Sequence, residues 1–93
     1  MSKAIDIVKR GRRKHEQFDR QKLHRGVYAA CLSVRSHDGE ADQAANRVCD
    51  AVLIWLDDKP KVTSQDIRRV AGRQLRRYNP EAAYMYEQHQ NII

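Results

Sequence analysis

Apolar residues recur along most of the chain at the three- and four-residue spacings of amphipathic helices. Asp19 is suited to cap a first helix, which is expected to stop within Ser36–Gly39. Thr63 and Asp66 resemble a capping box. Asn79, followed by a proline and an acid, gives a further start signal. The pattern predicts four helices, over about residues 19–35, 40–57, 64–78 and 80–90.

The chain before the first helix has a different pattern, in which apolar and polar residues alternate. Ile5 and Ile7 indicate a short strand, and Gly11 stands where the chain could turn. Residues 14–18 can return as a second strand, and Val62 is a candidate for a short third one. A sheet of this size cannot stand alone, so it is predicted to lie against the helices.

These elements predict an α+β fold that is mainly α, with a small N-terminal β hairpin or three-stranded cap on a four-helix bundle. The 93 residues suffice for a single domain over 1–93, with the β cap at about 4–18 plus 62. Cys31 and Cys49 fall inside helical patterns and are predicted to be buried, reduced thiols. The side chains expected to face inward include Ile5, Ile7, Leu23, Val27, Val52, Trp55, Ile67, Val70, Leu75 and Tyr78.

Positive charge is unevenly placed along the sequence. Residues 1–25 hold nine Lys or Arg against three Asp or Glu, whereas the two signs balance in the remainder. Such a field attracts anions, either nucleic-acid backbones or free nucleotides. The predicted third helix also presents arginines on one face, which is either a solvated surface or a phosphate-binding stripe: Arg69, Arg73, Arg76 and Arg77.

Several kinds of chemistry have no signature in this sequence. It lacks the phosphate-loop motif GxxxxGK[ST] and the dinucleotide motif GxGxxG, and its four histidines lack the spacing of paired metal ligands. No serine or cysteine has a plausible base and orienting acid near it. No run of residues reaches the length of a membrane span. These observations favour a cytoplasmic, non-enzymatic protein without a metal site or redox cofactor.

Four motifs in a fixed order resemble the ATP-cone, a nucleotide-binding regulatory domain of ribonucleotide reductases and of the zinc-ribbon repressor of their genes. The motifs are Val8-Lys9-Arg10 with Gly11, Phe18-Asp19-Arg20-Gln21-Lys22-Leu23, Val62-Thr63-Ser64-Gln65-Asp66-Ile67 and Ala82-Ala83-Tyr84. The resemblance spans about residues 4–90 and implies a small β cap on a four-helix bundle. Two features depart from the family pattern: an Asp is missing before Gly11, and the turn before Phe18 is longer. The 93 residues hold neither a reductase body nor a zinc ribbon, so we expect either an excised domain or a free-standing one that acts on another chain.

The resemblance also implies a ligand, which is ATP or dATP with Mg²⁺ as an optional companion. The implied nucleotide-binding positions are Val8, Lys9, Arg10, Glu16, Lys22, Ser64 and Arg68. The backbone of the first three would meet the adenine, and their basic side chains, with Lys22, would reach the phosphates. Glu16 would accept a hydrogen bond from the adenine amino group. Ser64 and Arg68 would approach the sugar and base.

The function implied is an adenine-nucleotide sensor that modulates association with itself or with a larger partner such as a ribonucleotide reductase. An alternative is a small basic nucleic-acid-binding module that uses the N-terminal hairpin and the arginine face together. A third interpretation is an oligomerisation domain whose pocket no longer binds a ligand. The first predicts saturable, adenine-selective binding, whereas the second predicts a steep loss of affinity with salt.

Overall fold

The computed structural model describes residues 6–8, 15–59 and 61–89, and helices make up most of them. Four helices and three short strands lie within these ranges: β1 (Asp6–Val8), β2 (His15–Gln17), α1 (Arg20–Ser33), α2 (Asp38–Leu56), β3 (Lys61–Thr63), α3 (Ser64–Arg76) and α4 (Pro80–His89). The prediction of a mainly helical fold with four helices is confirmed.

Two helix starts use the caps that the sequence indicates. The carboxylate of Asp19 accepts hydrogen bonds from the backbone amides of Gln21 and Lys22, at 3.0 and 3.2 Å. At α4 the side-chain oxygen of Asn79 accepts from the amide of Ala82 at 3.1 Å. Each bond satisfies an amide that the helix itself leaves without an acceptor.

The third helix begins with the predicted capping box. The hydroxyl of Thr63 accepts from the amide of Asp66, and the Asp66 carboxylate accepts from the amide of Thr63. The hydrogen bonds from Thr63 hold the pKa of Asp66 below its ordinary value, because they favour the ionised carboxylate. Arg69 donates to the same carboxylate at 2.7 Å. A continuous network therefore fixes the first turn of α3.

The first helix ends in a Schellman motif. The amide of Ser36 donates to the carbonyl of Cys31 at 3.1 Å, and the amide of Arg35 donates to the carbonyl of Leu32 at 3.0 Å. Arg35 has a φ of 66°, which is the left-handed region. The sequence predicted that the SHDG stretch would stop α1 and that α2 would begin near residue 40. In the structure α1 ends just before this stretch, because Arg35 makes the turn, and Gly39 already lies in the first turn of α2.

The core contains most of the side chains that were predicted to face inward. Leu23, Val27, Val52, Ile67, Val70 and Leu75 are all buried, together with Ala82, Ala83 and Tyr86 of α4. The predictions for the side chains of Ile5 and Ile7 lie outside the described part.

Two aromatic residues are less buried than predicted. Trp55 is only partly buried, because the inner stripe of α2 runs through Val52 and Leu56 and leaves the ring at its border beneath the Lys59 ammonium. Tyr78 is 44% exposed, because α3 ends before it and helical spacing no longer carries it inward.

The helices pack in a ring. Successive helices contact one another along the chain, and α4 closes the ring by packing against α1. Short connections join these neighbours, which is the arrangement of an antiparallel bundle. The two helix pairs therefore enclose the core between them.

The three strands pair in the order β2-β1-β3. β1 is antiparallel to β2 and parallel to β3, and Val8 stands in register with both His15 and Thr63. Since β3 passes directly into α3, the last described residue of β1 is a neighbour of the residue that caps α3.

Candidate functional site

Two of the predicted nucleotide-binding positions meet where β1 ends and α3 begins. Val8 pairs with Thr63, and Ser64 follows Thr63 as the first residue of α3. Paired strands lie about 4.8 Å apart. The sheet therefore brings the backbone of β1 next to the start of α3, although the two segments are far apart in the sequence.

A third predicted position lies on the other side of β1. Glu16 pairs with Ile7, which in turn pairs with Val62 of β3. Glu16 is thus one strand away from the β1 backbone that was predicted to meet the adenine. The register places these positions together without defining a contact to a ligand.

The first turn of α1 carries two basic residues with different environments. Arg20 donates to the carboxylate of Asp50 at 3.0 Å and to the side-chain oxygen of Asn46 at 3.3 Å, so it ties α1 to α2. Lys22 is exposed and forms no ion pair within the part of the chain that the structure describes. Of the two, Lys22 is the cation that remains available to an anionic ligand.

Ser64 and Arg68 lie one helical turn apart on the same side of α3. Arg68 is half-buried and its positive charge acts on Tyr86 of α4. Burial raises the pKa of Tyr86 to about 12, and the nearby guanidinium works in the opposite direction. Arg68 therefore lies near Tyr86 of α4 and is only partly exposed to solvent.

Lys9 and Arg10, which were predicted to reach the phosphates, lie outside the described residues. The structure thus brings Val8 and Glu16 into one small sheet, with Ser64 directly after its third strand and Arg68 one turn further along α3. Lys22 lies at the start of α1. The roles of all seven positions remain predictions.

Arginines line a groove of about 360 Å³ between α3 and α4, which we call the arginine groove. Its lining residues are Gln65, Arg68, Arg69, Arg73, Arg76 and Glu87. Arg69 is paired with Asp66, and Arg76 with Glu87. The sequence indicated three of the four arginines, but it grouped them with Arg77, which does not line the groove.

Glu87 was missed by sequence reasoning because it comes from a different helix. The signal that could have indicated its approach is Gly72, which lacks a side chain at the point where α4 passes. A Cβ atom placed on Gly72 would lie 2.9 Å from the Glu87 carboxylate oxygen. The missing side chain lets this carboxylate reach into the row of arginines.

A second groove, of about 290 Å³, lies where α1 ends, α2 begins and α3 turns into α4. Within it the Arg47 guanidinium stands 5.8 Å from the centre of the Tyr78 ring, and Asn79 donates to the Ser36 hydroxyl at 3.0 Å. Lys22, Ser64 and Arg68, the predicted nucleotide-binding positions whose side chains the structure describes, do not line this groove. Its residues are Cys31, Ser36, Glu40, Gln43, Ala44, Arg47, Tyr78 and Asn79.

Both cysteines are buried and unpaired with each other. Burial raises the pKa of Cys31, and it raises the pKa of Cys49 to about 11. The Cys49 thiol also lies 3.7 Å from the carbonyl oxygen of Arg20. Thiols of this kind are mostly protonated near neutral pH and are poor nucleophiles.

Among the residues that the structure describes, no three His, Cys, Asp or Glu side chains are grouped so that they could hold a metal ion. The helices in those same ranges include none with both the length and the apolar character that crossing a membrane requires.

The chain matches the family model of the ATP cone domain over residues 5–90, which is nearly its whole length. No curated protein gives a significant match to it.

Proposed function

This chain belongs to the ATP-cone family of nucleotide-binding regulatory domains, and we propose that it senses an adenine nucleotide, ATP or dATP. The observation that supports this proposal is the pairing of β1 with β3. It brings the backbone at Val8, which was predicted to meet the adenine, beside the start of α3 at Ser64. A ligand held there would contact two segments that the sequence separates widely.

The proposed site lies between the β cap and the helices. A nucleotide triphosphate carries several negative charges, and the excess positive charge of the chain lies within residues 1–25. Lys9 and Arg10 would bind the phosphates together with Lys22, whose exposed ammonium forms no ion pair in the described ranges. Glu16 would accept from the adenine amino group, and Arg68 would approach the sugar and base.

Regulation requires that the nucleotide bind one state of the protein better than another. We propose that the bound nucleotide orders the β cap against the bundle and so changes a surface used for association. The responding partner would be a second copy of the chain or a larger protein such as a ribonucleotide reductase. Mg²⁺ would accompany the phosphates, and the chain itself would catalyse no reaction in its cytoplasmic setting.

A titration of the purified chain with ATP, dATP and GTP, followed by calorimetry, tests the proposal. We expect saturable binding of one or two adenine nucleotides and weaker binding of GTP. Single alanine variants then distinguish direct phosphate contacts from long-range electrostatic attraction. Their nucleotide affinities are measured at about 50 and 200 mM salt. The positions to vary are Lys9, Arg10 and Lys22, with Arg12, Arg13 and Lys14 as controls of equal charge.

Loss of a phosphate contact at Lys9, Arg10 or Lys22 should weaken binding about ten- to a hundredfold, because a charge-assisted hydrogen bond is removed. Loss of a control charge should weaken binding only about two- to threefold, since that attraction is long-range and screened. Equal losses at Lys9 and Arg13 would contradict the proposed site. A preference for polymeric nucleic acid with a steep salt dependence would instead support the nucleic-acid alternative.

A further inference from the structure

The arginine groove holds more positive charge than its own acids neutralise. Arg69 is paired with Asp66 at 2.7 Å, and Arg76 is paired with Glu87. Arg68 and Arg73 line the same groove and make no ion pair within the ranges that the structure describes. Among the described residues, the guanidinium groups of Arg68 and Arg73 therefore have no counter-charge in the groove.

We propose that the arginine groove binds a small phosphate dianion, such as a phosphate monoester or the terminal phosphate of a diphosphate. A phosphate monoester carries about 1.5 to 2 negative charges at neutral pH, which matches the two uncompensated guanidiniums. The cations that the described residues contribute to the groove are all arginines, and their planar groups suit the bidentate recognition of phosphate oxygens better than lysine does.

The neighbouring ion pairs prepare the groove for a ligand. Asp66 is fixed by the capping box with Thr63, so the Arg69 guanidinium that it holds has a defined position. Glu87 holds Arg76 from the opposite helix. A ligand at Arg68 and Arg73 would therefore enter a groove in which Arg69 is already oriented, which lowers the entropy cost of binding, whereas the charge of Arg76 is neutralised by Glu87.

Glu87 acts as the internal counter-ion of this site. Its carboxylate lies over Gly72, between the positions of Arg68 and Arg76 along α3. A phosphate in the groove would be repelled by this carboxylate, or would displace it from Arg76. Removing the negative charge at Glu87 should therefore strengthen phosphate binding, whereas removing a positive charge should weaken it.

The same carboxylates argue for a small ligand rather than a nucleic-acid strand. A nucleic-acid strand that lay along α3 would pass Asp66 and Glu87. Each of these carboxylates would repel a phosphate of the strand. The four arginines and Gln65 extend over roughly 16 Å of helix. Of these arginines, Arg68 and Arg73 alone have no ion-pair partner among the described residues.

This site goes beyond the proposed nucleotide site and shares only Arg68 with it. Arg73 and Glu87 belong to no predicted nucleotide-binding position, so variants at these residues report on the groove alone. Lys22 reports on the nucleotide site alone, because it lies on α1. The failure of one proposal would leave the other standing.

The test is a titration of the full chain, labelled with ¹⁵N, with inorganic pyrophosphate. The signals of the arginine side-chain Nε–H groups are followed by NMR. We expect saturable shifts at Arg68 and Arg73. The R73Q variant should weaken this binding by about tenfold or more, and E87Q should strengthen it by about five- to tenfold. R77Q is the matched control, because it removes the same charge from the end of α3 outside the groove, and should change affinity about twofold at most.

Three results would overturn the proposal. The first is pyrophosphate binding that R73Q leaves unchanged. The second is binding that only K22Q abolishes, which would place pyrophosphate at the nucleotide site. The third is the absence of saturable shifts together with binding of a single-stranded oligonucleotide in which R73Q and R77Q cost the same. The groove would then be part of a general polyanion surface.

Discussion

Arg35 occupies a backbone conformation that favours glycine. Its φ of 66° completes the Schellman motif at the end of α1, where the amides of Arg35 and Ser36 satisfy carbonyls of the last turn. An L-residue in this region pays about 1 kcal/mol in steric strain, which glycine avoids. Arg35 therefore ends α1 in a strained backbone conformation that glycine at the same position would adopt without strain.

We expect R35G to raise the free energy of unfolding by about 1 kcal/mol, because it relieves this strain without removing the two backbone hydrogen bonds. R77G is the matched control. Arg77 caps α3 with a φ of −69° and a ψ of −26°, so glycine gains nothing there and should cost up to about 1 kcal/mol. Urea unfolding of both variants measures the difference. Equal effects of the two substitutions would show that strain at Arg35 is negligible.

The features that the sequence predicted best are those set by a few adjacent residues. The caps at Asp19, Thr63 and Asn79 are local interactions, and each forms as expected. The left-handed turn at Arg35 was not predicted, because glycine is the usual residue there and Gly39 stood nearby as a more conventional signal. A local rule thus identifies a helix end only when the usual residue type is used.

At the scale of elements, α4 lies against two helices at positions that carry glycine. A Cβ atom on Gly26 of α1 would lie 3.5 Å from the Tyr86 ring, which is ordinary contact. A Cβ atom on Gly72 of α3 would lie only 2.9 Å from the carboxylate of Glu87. The two glycines therefore differ in what a methyl group would displace.

Alanine at these positions should have different effects on stability. G26A should raise the free energy of unfolding by about 1 kcal/mol, because alanine is the better helix former and nothing has to move. G72A should change it by less than about 0.5 kcal/mol, since the same gain is offset when Glu87 moves and its exposed ion pair with Arg76 is lost.

Thermal unfolding of these variants and of G72A combined with E87A tests this account. In the E87A background the obstacle is gone, so G72A should show the full gain of about 1 kcal/mol. If G72A changes the free energy of unfolding by the same amount with and without Glu87, the close approach of the carboxylate does not determine its effect.

The errors at this scale come from tertiary packing. Periodicity alone could not decide that Trp55 would lie at the border of the inner face, under Lys59. It could not show that Tyr78 would lie beyond the end of α3, beside Arg47 of α2. In the arginine groove, the sequence predicted part of the arginine face of α3. It did not predict Glu87, which belongs to α4. Contacts between helices are not encoded in the spacing within one helix.

For the molecule as a whole, the buried thiols make stability sensitive to alkaline pH. The pKa of Cys49 is raised from 9.0 to about 11 by burial, and that of Cys31 is also raised. The folded protein therefore holds these protons at pH values where the unfolded chain releases them. The stabilisation is complete below about pH 9 and is lost as the pH rises toward 11.

We expect the free energy of unfolding to fall more steeply between pH 9 and 11 in the natural sequence than in C49A. The difference across this range should amount to up to about 2 kcal/mol, since one unit of pKa corresponds to about 1.4 kcal/mol. C49A will be less stable overall because it removes core volume, so the slopes and not the absolute values are compared. Parallel slopes would indicate that the Cys49 thiol does not ionise in this range.

The overall architecture was predictable to the level of four helices and their inner faces, because amphipathic spacing specifies both. The site was less accessible to prediction. Val8 and Ser64 become neighbours through the parallel pairing of β1 with β3, each of which has three residues. A strand as short as β3 leaves little pattern in the sequence, and Val62 was the one residue that indicated it. The resemblance to a family supplied the nucleotide-binding positions, among which Lys9 and Arg10 lie outside the described residues.

The parallel pairing of β1 with β3 has a consequence for folding. It joins Asp6 to Lys61, so all of α1 and α2 lies between the two paired segments. Closing a loop of that length costs conformational entropy, and the pairing of only three residues on each strand offsets little of this cost. The cost is smaller once the intervening helices have already folded back on each other. The sheet should therefore assemble after the helical hairpin and separate before it during unfolding. A ligand that bridges β1 and α3 would stabilise the state in which the sheet has formed. Its binding would therefore raise the fraction of molecules in which β1 is paired with β3.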